Sequence, residues 1–384
     1  MRRRRKSQDN RNSIQSWNTR IILFSILILT LLISASIFLI SRLNRQGSSL
    51  IYSQKHLSEE SIMINRSLEK AIAFLYESQL DYGEFRTYRC RSEQYEEMSE
   101  CAFDSSPFAT ALILYSVRNL NDNAQVADIT RKGLEFLSGE KMPGGIWRYY
   151  SSRNTQDIVP DLDDTAAASL ALKMNGMKLK DNTRAFLDNR NPEGLFYTWI
   201  KEDDREGEYG IVDCIVNVNV LLYLGDQYPE VCDFINRAVK NNENCSQFYP
   251  NRLARNYMLS RAIRSNVSCL DSSKEIIIGQ TLSSRMHDGS FGNELETALA
   301  VDTLINLGYS GEEVRGGVIR LLKTQGEDGS WPRGALFIAG PFDSFSYGSE
   351  ELTTGFAIEA LKAYASQQQA PITIFKTVSF INKH

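Results

Sequence analysis

Histidine is scarce, with three in 384 residues, and no C-x-x-C pattern occurs. A zinc ribbon is therefore unsupported, and neither a metal nor a cofactor is expected. An excess of positive charge is also missing. The formal net charge is −4, so nothing would neutralise phosphates along the chain, and a nucleic-acid partner is excluded. Strand-like alternation of any length is absent too, which leaves helical periodicity unopposed. What remains, 42% hydrophobic and 23% charged, is ordinary globular material with ample chain for a large core.

One stretch lacks both charge and proline. Ile21 to Ser41 is apolar all round, and at 1.5 Å per residue it spans roughly the ~30 Å core of a bilayer. It exceeds the usual apolar region of a signal peptide, and no small-residue cleavage pattern follows. An uncleaved anchor is the expectation. Arg2, Arg3, Arg4, Arg5, Lys6, Arg11 and Arg20 precede the span, whereas Arg42, Arg45 and Lys55 follow it. The positive-inside rule then places the N-terminus in the cytoplasm and the large domain outside. The alternative is a basic anchor lying on the anionic cytoplasmic leaflet. The expected division is a basic tail (1–20), a transmembrane helix (21–41), a linker (42–60) and one folded domain (61–384). The bilayer is one expected partner; oligomeric state is not legible.

The six cysteines suit an exported domain. Cys90 and Cys101 lie in a polar stretch, where a disulfide is plausible. Cys245 and Cys269 could form another, and Cys214, on an apolar helix face, reads as a small buried hydrophobe. Fifteen connectivities are open in principle.

The strongest signal is repetition. Five times a helix runs into a turn that joins glycine to an aromatic residue: Phe74 to Phe85, Phe136 to Trp147, Phe186 to Phe196, Thr281 to Phe291 and Leu321 to Trp331. A sixth, degenerate copy ends near Phe248 without the glycine. The turn aromatics recur at intervals of 40 to 62 residues, which suits two-helix repeats. Glycine supplies the positive φ that stops the helix, and the ring folds back between hairpins.

A second set of helices, more apolar and richer in alanine, begins near Pro107, Asp163, Val212, Leu253, Leu295 and Glu351. Such helices suit an inner ring packed on both sides, with the polar set outside. The expected fold is all-α: an (α/α)6 toroid of six helical hairpins after one transmembrane helix. All inner helices then start at one mouth, where Asp104, Asp164, Asp213, Glu296 and Glu351 answer the helix dipoles.

The second hairpin carries more acid than capping needs. Asp161, Asp163 and Asp164 fall within four residues of a helix start. Packed at a partly dry mouth, they cannot all ionise; at least one is held protonated, while the helix dipole and the Thr165 hydroxyl hold the others as anions. A protonated carboxylic acid aimed inward suits protonation of a weakly basic group. On another inner helix Asn217 and Asn219 cannot share a face, so one points to the lumen and suits a polar cavity.

The run Pro160-Asp161-Leu162-Asp163-Asp164-Thr165-Ala166 resembles the DxDD motif of class II terpene cyclases, the squalene–hopene cyclase-like branch in particular. The turn Gln325-Gly326-Glu327-Asp328-Gly329-Ser330-Trp331 is similar to the QW repeat of that superfamily, and His287 to Phe291 is a weaker copy. The resemblance implies the α/α toroid of terpenoid cyclases and protein prenyltransferase β subunits over nearly the whole domain. It also implies acid-initiated cyclisation of an isoprenoid without metal, with Asp163 as the acid and Asp161 and Asp164 assisting. Aromatic residues would shelter the cation; candidates are Trp147, Tyr149, Trp199, Tyr209, Phe342, Phe345 and Tyr347. Asp213, Asn217 and Glu296 complete the candidate substrate-binding set.

Two departures stand beside the resemblance. Squalene–hopene-like cyclases use two helical domains, and only one toroid fits here. The expected topology also puts the acid outside the cytoplasm. A prenyltransferase zinc site on Asp213, Cys214 and His287 lacks the D-x-C spacing of that family. Other expectations stay open: a tethered toroid that binds an isoprenoid or other small molecule without turnover, or an extracytoplasmic six-hairpin glycosidase or lyase pairing Asp163 with Glu296 or Asp213.

Overall fold

In the computed structural model the described residues are 59–91, 98–120, 122–179, 181–200, 208–340 and 345–369. The expected basic tail, the anchor at 21–41, the linker up to residue 58 and Phe342 lie outside them. No helix among the described residues is long and apolar enough to cross a membrane.

Among the described residues twelve α-helices alternate between two rings. The odd-numbered ones are α1 (59–78), α3 (Ala124–Gly139), α5 (Thr183–Leu187), α7 (Pro229–Lys240), α9 (Lys274–Leu282) and α11 (Glu312–Thr324). The even-numbered ones are α2 (Pro107–Ser116), α4 (Leu162–Met174), α6 (Cys214–Leu224), α8 (Arg252–Arg264), α10 (Glu294–Asn306) and α12 (Glu350–Gln369). The even set packs in sequence, α2 on α4, α4 on α6, α6 on α8, α8 on α10 and α10 on α12, and α12 returns to α2. That return closes the inner ring. Every residue of α2 is buried, as expected of a helix covered on all sides. The outer helices α3, α7 and α11 keep polar faces and bury one stripe each.

The repeated turn stitches the rings together. The buried backbone N–H of each turn aromatic donates to a side chain four or five residues into the next inner helix. Phe85 reaches Thr110 Oγ1 at 2.9 Å, Trp147 reaches Thr165 Oγ1 at 3.0 Å and Phe196 reaches Asn217 Oδ1 at 3.0 Å. Phe291 reaches Thr297 Oγ1 at 3.1 Å and Trp331 reaches Thr354 Oγ1 at 3.2 Å. The indole Nε1 atoms of Trp147 and Trp331 donate back to Leu137 O and Leu321 O of the preceding outer helix. Glycine is obligatory in two of these turns. Gly83 and Gly329 have φ of +100° and +92°, and a Cβ would lie 2.1 Å from Lys132 O and 2.3 Å from Lys70 O respectively. Each turn thus presses on the neighbouring outer helix, the last one on α1, where Gln325 Nε2 also donates to Ser67 O.

Two expectations are corrected. The fold is mostly helical but not all-α. Four short strands, β1 (Tyr88–Arg91), β2 (Ser99–Phe103), β3 (Phe337–Ile338) and β4 (Phe345–Gly348), form an antiparallel sheet in the order β2-β1-β4-β3. Strands of two to five residues are too short to register as alternation, and β1–β4 joins segments at opposite ends of the domain. The disulfides are Cys90–Cys101, Cys214–Cys245 and Cys232–Cys269. Cys214 is therefore bonded rather than a lone buried thiol, and Cys245 pairs with it instead of with Cys269. Ring closure brings the start of α6 beside the segment preceding α8, which no local spacing reveals.

Thr165→Val keeps the side-chain shape but leaves the Trp147 N–H unsatisfied. Urea unfolding is expected to show a loss of about 1–3 kcal/mol; an unchanged midpoint and slope would refute the stitch as a determinant of stability.

Candidate active site

At the mouth where inner helices begin, Asp161 is the N-cap of α4 and its side chain accepts from Asp164 N at 2.8 Å. Its own backbone is held on both sides, with Asp161 N–H donating to Trp147 O and Ile200 N–H donating to Pro160 O. The three carboxylates then take different states. Burial pushes Asp161 and Asp164 both upward, Asp164 well above the usual range, because the Asp161 charge beside it adds to desolvation. Burial and that neighbouring charge favour the neutral form of Asp164 beside the helix-capping Asp161 carboxylate. Asp163 is separate: Tyr249 OH donates to Oδ2 at 2.6 Å and the Asn219 amide donates to Oδ1 at 2.6 Å. Burial raises Asp163 to about 7, against the lowering effect of those two donors.

The three aspartates line a cavity of about 100 Å³ whose other walls are nearly all apolar. Tyr149, Trp199, Phe248, Tyr249, Phe337 and Tyr347 supply its aromatic faces. The rings brace one another: Phe337 stacks on Tyr347 with centroids 5.1 Å apart, and Tyr149 stands edge-on to both at 5.8 and 5.4 Å. Trp199 meets Phe248 edge-on at 6.1 Å. β3 and β4 thus form one wall, and the starts of α4, α6 and the segment before α8 form the rest. No lysine, arginine or histidine lines the cavity among the described residues.

The other candidates divide. Asp161, Asp163, Asp164, Tyr149, Trp199 and Tyr347 meet at the cavity. Tyr209 packs edge-on behind Trp199, and the Phe345 ring lies under Arg89. Trp147 is wholly buried in the core, does not line this cavity and belongs to the stitch. Asn217 likewise grips the backbone of Phe196 through both N–H and C=O. Asp213 caps α6 and accepts from Ile215 N, Val216 N, Ser246 Oγ and Gln247 N, which exhausts a buried carboxylate. Glu296 forms a capping box with Asn293 and takes the Asn251 amide. Thr165 bonds to Trp147 backbone instead of holding the aspartates. Asn219, Tyr249 and Phe248 were missed. Asn219 and Phe248 left traces, as one of two asparagines of which one faces the lumen and as the degenerate sixth turn.

The fold has known counterparts. It is similar to the type II terpene cyclase MstE from Scytonema, at 18% identity and a TM-score of 0.64, over 80% of this chain and 99% of that one. MstE structures include complexes with geranylgeranyl dihydroxybenzoate as substrate and merosterolic acid A as product. The likeness spans nearly all of MstE, so that protein consists of a single toroid of this kind. The ent-copalyl diphosphate synthase from Streptomyces platensis matches at 17% identity and a TM-score of 0.51, over 67% of this chain and 50% of that one. An unsaturated glucuronyl hydrolase specific for heparin matches at 12% identity and 0.53, over 80% and 98%. No family model and no curated protein matches the chain. The helical toroid these proteins share is therefore the fold, and a cyclase and a hydrolase among them show that this architecture hosts more than one chemistry.

Because burial raises all three aspartates, the folded state holds protons that the unfolded chain would release. The associated stability is present below the ordinary carboxylate range and is lost as pH rises, for Asp163 through about 7. Urea-unfolding free energies are expected to fall between pH 5 and 8, and Asp163→Asn should remove part of that fall, on the order of 1–3 kcal/mol. An identical pH slope in the variant would refute the raised acid.

Proposed function

We propose that this protein is a class II terpene cyclase-like enzyme in which Asp163 protonates an isoprenoid and starts its cyclisation without metal. One observation carries the reading: a near-neutral carboxylic acid, with both oxygens hydrogen-bonded by donors, faces an aromatic cavity free of fixed cations among the described residues. The proton leaves the Asp163 carboxyl for a terminal alkene carbon or epoxide oxygen. The resulting cation is attacked by the next double bond, so that ring carbon–carbon bonds form as π bonds are consumed. Loss of a proton, or capture by water, ends the sequence, and nothing is oxidised or reduced overall. Tyr249 and Asn219 stabilise the carboxylate left behind, which makes the acid stronger at the moment of transfer. The π faces of Tyr149, Trp199, Phe248 and Phe337 favour positive charge in the cavity.

The likeness to MstE, whose substrate carries a geranylgeranyl chain, supports an isoprenoid ligand. The likeness to a glucuronyl hydrolase keeps a glycan in view. Such chemistry needs two carboxyls flanking the scissile bond. Here the cavity acids all come from one helix start, and Asp213 and Glu296 are spent on caps. A toroid that binds without turnover is the third outcome of the test. Wild type and Asp163→Asn are to be incubated with squalene, shorter polyprenyl substrates and envelope glycans, with products read by mass spectrometry. Cyclised isoprenoid from the wild type, reduced at least about a hundredfold in a variant of similar stability, is the expected result. No isoprenoid turnover by folded wild type would sink the proposal.

The domain is further proposed to lie outside the cytoplasm behind an anchor at 21–41. Three disulfides favour an oxidising compartment, in keeping with the basic residues before the span. Topology reporters fused at each end are expected to place only the N-terminus in the cytoplasm, and a cytoplasmic C-terminus would overturn the assignment.

A further inference from the structure

Behind Asp163 the ring interior holds a buried cation that the scheme above leaves unused. Arg261 of α8 is 2% exposed and forms no ion pair among the described residues. Its Nη2 donates to Asn219 Oδ1 at 2.8 Å and lies 2.9 Å from Met258 Sδ, while its Nε has no partner. The guanidinium carbon stands 4.8 Å from the Tyr115 ring centroid on α2 and 5.2 Å from that of Tyr257 on its own helix. The acids nearby are otherwise engaged. Glu359 of α12 accepts from Tyr257 OH at 2.7 Å and pairs with Arg118 at 2.7 Å. Asp302 of α10 is fully buried with neither oxygen bonded, and burial pushes it well above the carboxylate range, toward its neutral form. A desolvated arginine without a carboxylate is expensive, and its one oxygen partner is the amide that serves the acid.

An amide can face either way, and the two orientations have opposite effects on Asp163. With its NH2 toward Oδ1, Asn219 donates and leaves the carboxyl proton free for the cavity. Turned around, its oxygen would accept that proton in a hydrogen bond and hold it away from any substrate. Arg261 has donors only, so it accepts no such turn: the Asn219 oxygen must face it. The guanidinium also acts on the second donor. Its positive charge pulls the Tyr249 phenol downward, against the larger upward push of burial and of Asp163. A more acidic phenol is a stronger donor to the carboxylate. Both partners of Asp163 are thus oriented or polarised by one buried charge.

We propose that Arg261 is a positioning residue for the acid: it fixes the Asn219 amide so that the Asp163 proton stays directed at the cavity, and it stabilises the carboxylate that proton transfer leaves. This rests on reading Asp163 as the acid, but its first test needs no turnover. In full-length protein labelled with 13C at aspartate carboxyls, the Asp163 signal is assigned by its loss in Asp163→Asn and titrated without substrate. Arg261→Met is expected to raise the midpoint by at least about one pH unit, a tenfold change in proton affinity, and Arg261→Lys to restore part of it. Where isoprenoid turnover is measurable, Arg261→Met should lower kcat about 10–100-fold with KM little changed. A folded Arg261→Met with an unmoved midpoint overturns the proposal. If that variant does not fold, Asn219→Leu removes the same contact, and an unmoved midpoint there overturns it equally. A shifted midpoint in a protein that turns over no isoprenoid would uphold the charge relay while the cyclase reading fails.

Discussion

Everything else in this fold hangs on one hydrogen bond repeated around the ring, from a turn-aromatic N–H to a hydroxyl or amide near the start of the next inner helix. Inner helices such as α2 and α6 are apolar on nearly every side, so packing alone leaves their rotation and axial position weakly specified. A polar side chain that must satisfy a buried N–H removes that freedom, because an unsatisfied donor in the core is costly. Thr110, Thr165, Asn217, Thr297 and Thr354 do this at five of the six junctions. The result is a ring whose inner helices all present their N-termini, and the residues just before them, at one mouth.

The sixth junction is where the pattern breaks, and the site occupies the break. Phe248 should be the buried turn aromatic, yet it lines the cavity. Its neighbour Tyr249 donates its backbone N–H to Ser246 Oγ and its hydroxyl to Asp163. A ring of six equivalent junctions would be filled by six equivalent wedges; leaving one out opens room for a ligand and frees a phenol to face it. The acidic helix start of α4 lies across that opening. Three carboxyls coexist there because each has a different outlet: Asp161 caps the helix, burial pushes Asp164 toward its neutral form, and Asp163 is held by donors from α6 and from the broken junction.

Much of the architecture was legible because it is local. Helix periodicity, glycine–aromatic turns and the alanine-rich inner set each lie within a dozen residues, and together they imply hairpins and a ring. The acid trio was legible for the same reason. The sheet was not, since β1 and β4 are paired by ring closure across most of the domain. For Trp147 and Asn217 an aromatic ring or an amide serves a stitch as well as a site, and only tertiary structure shows that both bond within the stitch. That Tyr249 and Asn219 serve Asp163 was illegible for a geometric reason: they meet it across 86 and 56 residues of chain.

The sequence by itself determined that this protein is a mostly helical ring of hairpins, and that one helix start carries three aspartates, more acid than any other inner-helix start. Those features follow from short-range spacing and from the chemistry of glycine, proline and carboxylate at helix ends. Only the tertiary structure decided which aspartate faces the cavity, which residues donate to it, and that a buried arginine stands behind them. Burial sets protonation, and burial is a property of the closed ring rather than of any segment. The cysteine pairing was decided in the same way, because two thiols bond where the ring brings them together, whatever their separation along the chain.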